Sequence, residues 1–194
     1  MARNMQKRVI KLQFNAPMIL LFTLLSLAAL VANYFTKGWA NHQFFSTYGR
    51  HPDQFMWYVR LVGHVLGHTS WGHYMGNMVL LLVVGPPLEE KYGSWTSLWC
   101  IVFTAVVSGL IHCFWDPAHA LLGASGIVFM LIMLSSLAGM RGGAIPITLI
   151  LVGLIYLGGE LVAAFTGDDS VSQLTHIIGG LCGTFLGFML ARHR

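Results

Sequence analysis

Residues 119–139 read HALLGASGIVFMLIMLSSLAG, a stretch with no Asp, Glu, Lys or Arg and with a serine among small residues near its front. About 20 apolar residues are what an α-helix needs to cross the hydrocarbon core of a bilayer, so this stretch reads as a membrane span. Within it, Gly123-Ala124-Ser125-Gly126 poses a chemical question. A hydroxyl in lipid can bond back to a carbonyl one turn earlier in its own helix, and a serine here is by default a packing residue. The rest of the chain decides whether that default stands.

The chain has 194 residues, 56% of them hydrophobic and 9% charged, and its mean hydropathy is +0.68. That is too little charge to cover the surface of a soluble globule. Apolar runs at 17–35, 70–88, 95–114, 119–139, 145–165 and 171–191 predict an all-α polytopic membrane protein with six transmembrane helices. We read residues 1–194 as a single domain, with 1–16 a cytoplasmic N-terminal segment and 36–69 an outer loop. The first run is full length and no small-residue cleavage site follows it, which predicts a first span rather than a cleavable signal peptide.

Eight of the eleven Lys and Arg fall on one side of that topology: Arg3, Lys7, Arg8, Lys11, Lys91, Arg141, Arg192 and Arg194. The positive-inside rule makes that side cytoplasmic, with both termini on it. This bias explains the net charge of +4, so no nucleic-acid partner is expected. Cys100, Cys113 and Cys182 are scattered and odd in number, without metal spacing or a disulfide framework. Loop 36–69 interleaves Phe44, Phe45, Phe55, Trp57 and Tyr58 with His42, Arg50, His51 and Arg60, a composition suited to the membrane interface. It is expected to lie partly embedded.

Polar side chains inside spans cost free energy unless they face the bundle interior with partners. They cluster in GHVLGHTSWGHYMGN, residues 63–77, which holds His64, His68, His73 and Asn77, and in THIIGGLCG, residues 175–183, which holds His176. Spans 2, 4 and 6 run in the same direction, and His73, Asn77, Ser125 and His176 all occur near their starts. At about 1.5 Å per residue they share a layer roughly 5–10 Å below the outer surface. His73 and Asn77 are four apart and share a helix face.

A serine, a histidine and further donors at one depth are the parts of a nucleophilic site. Ser125 can attack a carbonyl if His176 accepts its proton, while His73 and Asn77 donate to the developing oxyanion. The seven carboxylates are Asp53, Glu89, Glu90, Asp116, Glu160, Asp168 and Asp169. None falls in the outer layer of spans 2, 4 or 6, so a Ser-His dyad is more economical than a triad. Gly179, Gly183 and Gly187 repeat every four residues after His176, a smooth stripe on which span 4 can pack. Small Gly123 and Gly126 leave room for a neighbouring helix and a substrate backbone.

The pattern His64-x3-His68-x4-His73-x3-Asn77, then Gly85-x3-Glu89-x3-Gly93, then Gly123-x-Ser125-Gly126, then His176-x2-Gly179-x3-Gly183 resembles the rhomboid intramembrane serine proteases. The resemblance runs from about Arg60 to Gly187. It implies a six-helix rhomboid-like bundle with Ser125 as nucleophile and His176 as general base. It also implies an oxyanion and substrate-binding wall of His73, Asn77, Gly123 and the Ser125 amide, and a membrane-embedded first loop. His64, His68, Arg60 and Phe129 are read as structural support. Two positions depart from the family's usual pattern: Val59 stands before Arg60 where tryptophan is common, and Phe129 where a tyrosine commonly stacks on the catalytic histidine.

Two other classes compete. The histidines could ligate haem or zinc in a helical bundle, although that leaves Ser125 and its glycines without a purpose. A catalytically silent relative could bind transmembrane helices without cutting them. The reading carried forward is an endopeptidase that cuts in or near the outer end of transmembrane protein substrates, in contact with the lipid bilayer, with no cofactor and no metal. The expected location is a bacterial inner (cytoplasmic) membrane. Glu160, near the outer end of span 5, either snorkels to the surface or tunes a gate between spans 2 and 5.

Overall fold

The computed structural model describes residues 14–140, 144–157 and 170–192. Among these the chain forms seven α-helices: α1 Pro17–Phe35, α2 Phe55–Gly63, α3 Trp71–Tyr92, α4 Ser94–Trp115, α5 Ser125–Ala138, α6 Ile147–Val152 and α7 Ser170–Arg192. The α1–α3 connection also contains a π-helical turn at Asn41–Phe45 and a 3-10 turn at His64–Leu66, and α6 runs on into a π-helical turn at Gly153–Leu157.

Three segments are long and apolar enough to cross a membrane: Pro17–Phe35, Ser94–Trp115 and Gln173–Ala191. Their outer faces carry Leu24, Trp95, Trp99, Phe114, Leu181 and Phe185, all exposed. A surface of this kind belongs in lipid, and the protein is an integral membrane protein. α3 is as long as α4, at 22 residues, but His73, Asn77, Glu89, Glu90 and Lys91 dilute its hydropathy. The second half of the expected fifth span, Glu160 with it, and Arg141, Asp168 and Asp169 lie outside the described residues.

Two expected boundaries are corrected. α3 does not stop at residue 88: it continues through Pro86 and Pro87 to Tyr92 and ends on Gly93, whose φ of +86° suits glycine and whose N–H bonds Glu89 O at 2.8 Å. The second correction is larger, because α5 starts at Ser125 rather than 119. Ala120, Leu121 and Leu122 are apolar and extend the hydropathy signal back to His119, yet their stretch of backbone pairs sideways. Thr47 and Leu121 exchange both N–H···O bonds at 2.9 Å, Gly49 N–H bonds Pro117 O at 3.0 Å, and Gly123 N–H bonds His64 O at 2.9 Å. Irregular backbone at membrane depth is tolerated when protein satisfies it in this way. α5 is consequently only about 21 Å long, and Ser125 opens the helix instead of lying a turn or more inside it.

Packing of α5 against α7 follows from the glycine stripe. A Cβ on Gly179 would stand 2.1 Å from Gly126 O, and one on Gly183 would stand 2.2 Å from Met130 O. The two backbones are in van der Waals contact, which only glycine permits. Ile19, Leu81, Ile127 and Met130 fill the core that α1, α3 and α5 share.

The far end of α3 holds a buried carboxylate. Pro17 starts α1 with no N–H of its own, and the next two donors, Met18 N and Ile19 N, both bond Glu89 at 2.8 and 2.9 Å; Ser94 Oγ bonds it at 2.6 Å. Nearby, the Asn15 amide donates to Glu90. Glu89 is 2% exposed and acts as an N-cap for α1 supplied from another helix. Glu89→Ala should leave two helix N–H groups and a hydroxyl without acceptors. A loss of roughly 2–4 kcal/mol is expected, read as a lowered unfolding midpoint in detergent. An unchanged midpoint would show that the cap contributes nothing.

Candidate active site

The site is assembled at the end of the molecule that carries the 36–69 connection. Ser70 caps α3 by accepting the His73 N–H at 3.1 Å, which fixes His73 in the first turn and Asn77 one turn further along the same face. Ser125 is the first residue of α5. The N–H groups of a first helical turn have no partner inside the helix and sit at its positive end. Gly123, two residues before, adopts φ +133°, and a Cβ there would stand 2.9 Å from His73 Nε2. Any other residue would be strained and would push the imidazole away. His176 lies on α7 just ahead of the glycine stripe, and its ring stacks on Phe129 with centroids 4.4 Å apart and planes 6° from parallel.

These elements converge. Gly72, His73, Gly76, Asn77, Ser125 and His176 line one cavity of about 280 Å³. The arrangement unites a hydroxyl, an imidazole, side-chain donors and the free amides of a helix start, which are the components that acyl transfer to a serine needs.

Behind the cavity, two histidines tie the loop to the helices. His68 is fully buried; its Nδ1 donates to Leu66 O at 3.1 Å, its Nε2 accepts from Asn77 Nδ2 at 3.2 Å, and its carbonyl accepts from Asn41 Nδ2 at 2.9 Å. The Asn77 amide nitrogen therefore gives one proton to His68 and keeps a second. His64 donates from Nδ1 to Leu61 O at 3.1 Å, approaches Ser108 Oγ at 3.5 Å, and uses its carbonyl to hold Gly123. Arg60 is buried and donates to Tyr48 Oη at 2.6 Å, with its guanidinium 4.5 Å over the Tyr48 ring. Arg50, on the same connection, bonds the last carbonyls of α4, Cys113 O at 3.1 Å and Phe114 O at 2.7 Å.

Burial pushes both His64 and His68 down to about 4, from an ordinary value of 6.5. Both are neutral in the fold and titrate freely once it opens. The unfolded chain then binds more protons below pH 6.5, so stability should be flat above that value and fall as pH drops from 6.5 towards 4. The unfolding midpoint of purified protein in micelles, measured across pH 8 to 4 (roughly the window set by these shifts), checks this. A midpoint constant through the acidic half would contradict it.

Ser125, His176, His73 and Asn77, singled out in the sequence for chemistry, line one cavity; Gly123 faces His73, His68 bonds Asn77, the His64 carbonyl holds Gly123, Phe129 stacks on His176, and Arg60 is held by Tyr48 on the loop. Sequence reading missed Thr69, whose Oγ1 lies 3.2 Å from His73 Nδ1, and Asn41. It also gave Glu89 no role. A carboxylate four residues from glycines on either side, in a chain so poor in charge, was the available signal. Among the described residues no group of three or more His, Cys, Asp or Glu converges as a metal would require.

A helical membrane protein with serine and histidine facing one cavity at the start of short helix α5 is a recognisable class. The rhomboid domain family matches residues 55–193, and the chain belongs to the rhomboid family. It is 34% identical over 142 residues to Rhomboid-related protein 1 of Caenorhabditis elegans, covering 68% of this chain and 39% of that protein. To Rhomboid-related protein 2 of Mus musculus it is 27% identical over 142 residues, covering 66% and 47%. To RHOMBOID-like protein 5 of Arabidopsis thaliana it is 29% identical over 140 residues, covering 68% and 43%. The matches span less than half the length of each of these relatives.

Proposed function

We propose that this chain is an intramembrane serine endopeptidase that hydrolyses peptide bonds in or near the outer end of substrate transmembrane helices. The observation that carries the reading is the convergence of Ser125, His176, His73 and Asn77 on one cavity, with the His176 ring held flat against Phe129. Ser125 Oγ attacks the scissile carbonyl while His176 takes its proton. The oxyanion is met by the Ser125 amide, His73 and the second Asn77 Nδ2 proton, and Gly123 leaves the space open. His176 then returns the proton to the leaving amine, and water repeats the cycle on the acyl-enzyme.

A substrate helix hides its carbonyls in its own hydrogen bonds and has to unwind before attack, so helix-weakening Gly, Pro or Ser near the cleavage point favours turnover. In this reading the chain is one six-span rhomboid domain with both termini cytoplasmic in a bacterial inner membrane, the loop end faces outward, and transmembrane proteins are its partners. The alternative of haem or metal ligation is weakened by the ring nitrogens of His64 and His68, which are committed to protein acceptors and donors. The experiment is reconstitution of the purified protein in vesicles with a single-span reporter and mapping of the products by mass spectrometry. Cleavage near the outer end of the span is expected; binding of the reporter without cleavage would instead identify a silent helix-binding relative.

A further inference from the structure

Two consecutive hydroxyls converge on one histidine. Ser70 Oγ accepts the backbone N–H of His73 at 3.1 Å, and Thr69 Oγ1 lies 3.2 Å from His73 Nδ1. The other ring nitrogen, Nε2, faces Gly123, where a Cβ would stand 2.9 Å away. His68 packs edge-on against the His73 ring with centroids 4.9 Å apart, so the ring is held between the two.

A neutral imidazole carries one proton, and the partner of one nitrogen decides what the other can do. If Nδ1 held the proton and donated it to Thr69, Nε2 would present a lone pair to the cavity and repel an oxyanion. If the Thr69 hydroxyl donates to Nδ1, the proton stays on Nε2 and points towards the cavity. The neighbouring imidazole does not compete for Nδ1, because His68 Nδ1 is bonded to Leu66 O and His68 Nε2 to Asn77. Among the described residues Thr69 is the side chain hydrogen-bonded to His73.

We propose that Thr69 is a positioning residue whose hydroxyl donates to His73 Nδ1 and holds His73 as the Nε2–H tautomer, the form that can donate into the cavity beside Ser125. The kinetic consequence rests on the endopeptidase reading, with His73 an oxyanion donor. The tautomer itself is a property of the resting protein and is measured without substrate.

The test is ¹⁵N NMR of the protein in detergent micelles with ¹⁵N-labelled histidine, the His73 signals being identified by their loss in His73→Gln. The expected spectrum has a protonated Nε2 and an unprotonated Nδ1. Thr69→Val should move it towards a tautomer mixture, and Thr69→Ser should leave it in place. In reporter cleavage, Thr69→Val should lower kcat about 5–10-fold at unchanged KM, the size of one neutral hydrogen bond, and Thr69→Ser should restore it. A proton on Nδ1 in the native protein, or a spectrum that Thr69→Val leaves untouched, overturns the proposal, and the native and Thr69→Ser spectra decide even if Thr69→Val fails to fold. The expected spectra with kcat unchanged in Thr69→Val would uphold tautomer control and overturn the oxyanion role of His73 instead.

Discussion

Ser125→Ala and His176→Ala are each expected to abolish reporter cleavage while leaving the fold intact. Ser125 begins α5 with its side chain at the cavity, and the alanine that replaces it keeps the helix start and loses only the hydroxyl. With no nucleophile, the remaining catalysis would come from carbonyl polarisation alone, a loss on the order of 10⁴–10⁶ in turnover by comparison with characterised serine hydrolases. His176→Ala removes the proposed base and also the ring that lies on Phe129, so its unfolding midpoint has to be measured beside its activity. His176→Phe supplies the control, because it keeps a flat ring against Phe129 and removes the proton acceptor. The two single variants and the double variant should be equally inactive, since a nucleophile and its base act as one unit.

The next largest effect is expected from the proposed oxyanion wall, His73 and Asn77. Asn77→Ala removes the amide that His68 orients, and His73→Ala removes the imidazole that closes over Gly123. Loss of one such donor lowers turnover by about 10²–10³ in enzymes of this chemistry, because the hydrogen bond strengthens only as charge develops on the oxygen. kcat for reporter cleavage should therefore fall with little change in KM for either variant. A rise in KM at constant kcat would assign both residues to uniform substrate binding. His68→Ala, which leaves Asn77 in place but removes the acceptor that aims it, should reproduce part of the Asn77→Ala loss.

Much of this site was legible in the sequence because polar groups are expensive in lipid. In a chain with 9% charged residues, His73, Asn77, Ser125 and His176 stand out against their surroundings. The four-residue glycine spacing of α7 likewise encoded the close α5–α7 contact, since helix backbones approach this far only where side chains are absent. Less legible was everything set by backbone pairing. Hydropathy ran residues 119–122 into the span, whereas Thr47 and His64 draw that strand-like stretch away from the helix and deliver Ser125 at its first position. Nothing in the composition of either segment announces a bond between residues 74 positions apart. The Glu89 cap on α1 was hidden for a similar reason: Pro17 advertises a helix start, but the acceptor for its neighbours comes from a helix 70 residues later. Thr69 escaped because a threonine beside a cap serine looks like part of the turn, and only the direction of the His73 ring gives it a partner.

If Ser125 is a nucleophile made reactive by His176, covalent labelling reads it without reference to any substrate. The protein in native membranes is treated with a fluorophosphonate, a reagent that phosphonylates activated serines and leaves packing serines alone, and the adduct is located by tandem mass spectrometry. One adduct is expected, on Ser125, that disappears in His176→Phe and persists in Glu89→Gln. No adduct on Ser125, or one that forms equally in the absence of the His176 imidazole, would contradict it.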